Sequence, residues 1–156
     1  MDINQKIAKI PFWILFSILS FIVSWDFLFT YFTLKNNPSV GEGNPVSLFI
    51  INNFGLNYFL FWLPISLIIL YGIVRLGAWM VANVDKRPDL NGKNHVTIMI
   101  ILLAFPNVFR QMIKVFFDVW IIKGWNLKYS FISGFTLMII YIILTEYITP
   151  KRLRKK

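Results

Sequence analysis

The sequence predicts an all-α integral membrane protein: a bundle of four transmembrane helices, with a short interfacial or re-entrant helix between the first two. Three observations carry this reading. Hydrophobic residues make up 57% of the 156 residues and charged residues only 15%, where a soluble domain holds about 45–50% and about 25%. Sixteen Phe, six Trp and six Tyr raise the aromatic share to 18%, more apolar surface than a water-soluble globule of this length can hide. Four apolar runs recur along the chain, each on the order of the 20 residues that cross a hydrocarbon core.

The first span covers 11–34 and is interrupted by Asp26. The second covers 57–82, with Arg75 late in it. The third covers 95–122 and carries Arg110, Lys114 and Asp118. The fourth covers 129–148, with Glu146 near its end. The whole chain, 1–156, is expected to form one membrane domain. The first run is too long for the core of a cleavable signal peptide, and no small-x-small site follows it, so it is expected to stay as a span.

Four spans put both termini on one side, and the basic residues outside the spans choose that side. Lys6, Lys9, Lys86, Arg87, Lys93, Lys151, Arg152, Arg154, Lys155 and Lys156 fall on the side of the termini, against Lys35, Lys123 and Lys128 on the other. Ten against three predicts a protein of the cell membrane with both termini in the cytoplasm. The basic tail, 149–156, then rests on anionic lipid headgroups. The net charge of +9 is a topology signal in this context, and no nucleic-acid partner is expected.

Between the first two spans, Asn44 and Pro45 form a helix-start signal, a side-chain cap followed by proline at the first helical position. Asn52, Asn53 and Gly55 form a stop signal. A helix over 45–53 extends only about 14 Å at 1.5 Å per residue, too short to cross. The alternative makes it the start of the second span, with 71–83 as a cytoplasmic extension. Pro64 and Pro106 fall inside the second and third spans. Each removes one backbone hydrogen bond and is expected to free the carbonyl one turn earlier, at Leu60 and Leu102.

Ionisable groups inside a membrane are costly and face the bundle interior. Asp26 lies 15 residues into its span from Pro11, and Arg110 lies 15 residues into its span from His95, so both sit about 22 Å above the inner face. An Asp26–Arg110 pair holding the first span to the third is therefore expected. Arg75 and Glu146 are matched in the same way at the inner end, unless Arg75 snorkels to the headgroups. Arg110, Lys114 and Asp118 recur every four residues on one helical face, flanked by Asn107 and Gln111. This polar stripe points to a protein-lined interior or a partner subunit.

Asp26, Thr30 and Thr33 share another face, running outward. Glu42 and Asn44 follow in the outer loop. Asp26, Thr30, Glu42, Asn44, Arg110 and Asp118 thus form a candidate polar cluster near the outer leaflet. Carboxylates of this kind hold hard cations or share a proton. Against that stands a structural reading: Asn44 as a cap, Glu42 in headgroup water, Asp26 neutralised by Arg110. His95 reads as an interfacial residue at a helix start. There is no Cys and a single His, which excludes thiol catalysis, thiolate metal sites and His clusters. Neither a metal nor a cofactor is expected, and no phosphate loop, HExxH or GxSxG motif is present.

The stretch SWDFLFTYFTLKNNPSVGEGNP, 24–45, resembles the signature of DUF5658, a family of small bacterial and archaeal membrane proteins. The resemblance covers roughly 20–65 and rests on Asp26, Thr30, Glu42, Asn44 and Pro45, with Gly55 fitting further on. It implies a small helical bundle and supplies candidate residues, but no reaction. The readings open at this point are a non-catalytic accessory or structural subunit of a membrane complex, which the composition favours, an ion- or small-solute-transporting homo-oligomer, and a carboxylate- or metal-dependent enzyme in the membrane acting on lipid or peptide.

Overall fold

The computed structural model describes residues 3–37, 45–84, 91–117 and 127–146, the last without its Glu146 side chain. Helix accounts for nearly all of these residues, and no strand occurs among them. In chain order the helices are α1 (Ile3–Ala8), α2 (Phe12–Asn36), α3 (Pro45–Phe54), α4 (Leu56–Phe59), α5 (Trp62–Asn83), α6 (Gly92–Phe117) and α7 (Leu127–Glu146). Four of them, α2, α5, α6 and α7, are long and apolar enough to cross a membrane. α3 is the short apolar helix between the first two.

The distribution of side chains is that of a lipid-solvated bundle. Among the described residues the buried side chains include nine polar ones, Asn94, Thr97, Gln111 and Ser130 among them, against eight large apolar ones. Large apolar side chains such as Trp13, Phe61, Ile68, Phe116 and Phe117 point outward. In water such a surface would drive association. In a bilayer it is solvated by acyl chains, and the helices cohere through close backbone packing and polar contacts instead.

α6 is the hub, packed against α2, α5 and α7 and touched by α1. The close approaches occur at glycines. Gly134 of α7 lies directly on Leu103 of α6: a Cβ there would stand 2.9 Å from the Leu103 Cα and carbonyl carbon, and nearer still to the carbonyl oxygen. Ser130, Gly134 and Thr145 are buried on the same side of α7, so small residues let the two backbones meet. On the other flank, Gly77 of α5 lies against Val96, and Gly92 at the start of α6 lies against the Ala78 backbone.

α3 ends where Gly55 takes φ +85°, a conformation glycine adopts without penalty. Its N–H closes the last turn on Ile51 O at 2.8 Å. The break separates α3 from the second span, so α3 is a helix of its own rather than the first turns of that span. α4 follows, and Phe59, fully buried, stacks on Phe27 of α2 with ring centroids 4.7 Å apart.

The two prolines differ. Pro106 lies inside α6 and is buried. Pro64 is the third residue of α5, in a first turn whose N–H groups lack intrahelical acceptors in any case. The expected free carbonyl at Leu60 is not free: it accepts from Leu63 N at 3.2 Å. The second span begins with two turns and a fresh helix start, which relieves the proline of its usual cost. α6 begins at Gly92 and is described to Phe117; the expected continuation to 122, and that of the fourth span to 148, lie outside the described residues.

Candidate functional site

The polar centre of the bundle is built on Asp26 of α2 and one face of α6. Asn107 and Gln111 are one turn apart on α6, so their amides point the same way. Both donate to the same carboxylate oxygen: Gln111 Nε2 lies 2.6 Å and Asn107 Nδ2 3.0 Å from Asp26 Oδ1. Arg110, one turn from Asn107, donates from Nη2 to Asn107 Oδ1 at 3.1 Å. The Asn107 amide therefore stands between the acid and the base, donating to one and accepting from the other. Two donors on one oxygen replace the water a carboxylate loses on entering lipid, and the guanidinium supplies opposite charge across a single amide.

Gln111 is almost completely enclosed, 3% exposed, and its Oε1 is buried without a hydrogen-bond partner among the described residues. Among the same residues the indole Nε1 of Trp25 is also buried without one. Trp25 stacks on Phe116 of α6 at 6.1 Å between ring centroids, continuing the α2–α6 seam outward. Thr30 is buried one turn beyond Asp26, while Thr33 and Lys114 are half-buried. Glu42, Asn44 and Asp118 lie outside the described residues, so the structure joins Asp26 and Arg110 through Asn107 but assigns no position to the other carboxylates of the cluster.

A second polar group lies at the end of the bundle that carries α1. His95 Nδ1 lies 2.6 Å from the Tyr141 hydroxyl of α7. His95 is buried rather than bathed in headgroup water, because α7 covers it. Asn94, fully buried, donates from Nδ2 to the carbonyls of Ile7 at 2.8 Å and Ile10 at 2.7 Å. Asn4 Nδ2 donates to Thr145 O at 3.2 Å. These contacts fasten α1 across the ends of α6 and α7. The sequence reading missed Asn4, Asn94 and Tyr141. Tyr141 carried a signal, a hydroxyl within an otherwise apolar run that in lipid calls for a partner, whereas Asn4 and Asn94 lie in polar stretches, INQK and GKNH, that single out neither.

Arg75 is exposed on α5. α5 and α7 pack on α6 rather than on each other, and the Glu146 side chain lies outside the described residues. Among the described residues no three of His, Cys, Asp and Glu gather as a metal ion requires.

Fold and site together define a multi-pass helical membrane protein in which Asp26 of one span is bound to Asn107 and Gln111 of another, with Arg110 joined through Asn107. No family model matches the chain, and no curated protein or solved structure matches it.

Proposed function

We propose that this protein is a non-catalytic structural or accessory subunit of a complex in the cell membrane, with both termini in the cytoplasm. The observation that carries the reading is the use made of Asp26. Its Oδ1 accepts from both Asn107 and Gln111, so the acid that sequence alone offers as a catalyst or ligand is engaged in holding α2 to α6. The outward-facing aromatic residues and the excess of Lys and Arg beside the spans' inner ends support membrane residence and orientation. Membership of DUF5658 belongs to the same proposal, on Asp26, Thr30, Glu42, Asn44, Pro45 and Gly55.

The test is replacement of the clasp. Asp26→Asn and Arg110→Ala are expected to lower the amount of protein in the membrane and its assembly into a larger particle. Normal accumulation and assembly of both variants would remove the structural role.

One observation favours a second reading, transport of an ion or small solute by a homo-oligomer. Gln111 Oε1 is a buried acceptor with no partner among the described residues, beside a carboxylate, a place where a water or cation finds oxygen ligands. Proteoliposome flux abolished by Gln111→Leu would support it; no flux above empty liposomes would argue it away.

A further inference from the structure

The inner end of α5 combines an exposed cation with a platform of aromatic rings. Tyr71 is half-buried against the first turns of α2. Its ring lies parallel to Trp13, interplanar angle 2° and centroids 6.2 Å apart, and edge-on to Phe16 at 5.5 Å. Phe12 stands 6.2 Å from it. Arg75 is one turn further in on the same face of α5, about 6 Å along the axis. Trp79, one more turn in, is exposed.

A second cation reaches the same place from α6. Lys93 Nζ lies over the Phe12 ring, 5.8 Å from its centroid. α5 and α6 touch nearby, where Gly77 meets Val96, so Arg75 and Lys93 stand on adjoining helices within a turn of that contact in sequence. The first turn of α6 holds no acidic residue. Among the described residues neither Arg75 nor Lys93 forms an ion pair. Aromatic rings of this kind mark the boundary of acyl chains and headgroups, and an arginine at that level extends to the phosphate.

We propose that Arg75 and Lys93 form a site for the phosphate of an anionic phospholipid, whose acyl chain lies along the Trp13–Tyr71–Phe16 surface. Charge complementarity selects the headgroup, and the apolar platform selects a lipid over a free anion. The site is distinct from the basic tail and independent of whether the protein is a subunit or a transporter.

The experiment measures thermal stabilisation of the purified full-length protein in mild detergent by added phosphatidylglycerol, with phosphatidylcholine and inorganic phosphate as controls. Arg75→Gln, Lys93→Gln and a chain ending at 150 are compared with the wild type. Phosphatidylglycerol is expected to stabilise the wild type and the truncated chain, and the controls are expected to do little. Each glutamine variant should bind about fivefold more weakly, the share of one cation beside an anionic lipid. Arg75 is exposed, so Arg75→Gln should fold, and Arg75→Lys should restore most of the effect. Equal stabilisation by phosphatidylcholine or by inorganic phosphate would overturn the proposal. So would a response lost on truncation but kept in Arg75→Gln.

Discussion

Asp26 Oδ1 on α2 accepts a hydrogen bond from Gln111 Nε2 on α6 at 2.6 Å, across 85 residues of sequence. The same oxygen accepts from Asn107, whose own oxygen accepts from Arg110. Removing the acid therefore does more than delete one hydrogen bond. It takes a negative charge from the half-buried Arg110, which faces it across the Asn107 amide, and leaves two amide donors without their acceptor, a loss of about 1–3 kcal/mol for each. An interhelical hydrogen bond between uncharged groups in a membrane contributes about 0.6 kcal/mol, with about 1.7 the upper end. Asp26→Ala is thus expected to destabilise the bundle several times more than Gln111→Ala, measured by denaturant unfolding in detergent. Equal effects would mean that the charge contributes nothing beyond its hydrogen bonds.

Gly134 and Gly72 make a contrasting pair. A Cβ at Gly134 would overlap the Leu103 backbone, whereas one at Gly72 meets nothing within 4 Å. Gly134→Ala should push α7 off α6 and cost about 1–3 kcal/mol, as overpacking does. Gly72→Ala should be neutral or stabilising by up to about 1 kcal/mol, the helix-propensity gain. Melting temperatures of the two variants, compared with wild type, read the difference in sign.

Asn94 fixes α1 with two bonds from one amide, to Ile7 O and Ile10 O. Asn94→Leu removes both donors while leaving the rest of α6 in place. Amide hydrogen exchange over residues 3–10 is expected to rise sharply, with exchange in α2 unchanged. Unaltered protection of α1 would show that Asn4 and apolar packing suffice to hold it.

The orientation is open to a direct chemical test because the chain has no cysteine. Single cysteines placed at residues 2 and 156 should react with a membrane-impermeant maleimide only after the cells are opened. A cysteine in the outer loop, at 40, should react in intact cells. Labelling of the termini in intact cells would invert the topology.

Lipid makes the coarse fold legible. It demands long apolar helices, and their length and composition stand in the sequence. It also made Asp26 conspicuous, since a lone acid in such a run asks for a partner. What could not be read was how that partner is reached. Asn107 and Gln111 stood out only as polar flanks of Arg110, yet the amides solvate the carboxylate and the arginine acts through one of them. The start of α5 was hidden for a different reason. Residues 56–83 are almost continuously apolar, so nothing in composition marks the turns at Leu60 and Phe61 that spare Pro64 its cost. Gly134 and Asn94 act through backbone atoms of helices distant in sequence, and side-chain patterns carry no record of such contacts.

The most direct test of the proposed role is the composition of the native particle. The protein would be extracted in mild detergent from its own membrane and the intact assembly weighed by native mass spectrometry. Foreign subunits in fixed stoichiometry are expected, lost when Asp26 is replaced by alanine. A lone monomer or homo-oligomer, unchanged by that substitution, would contradict it.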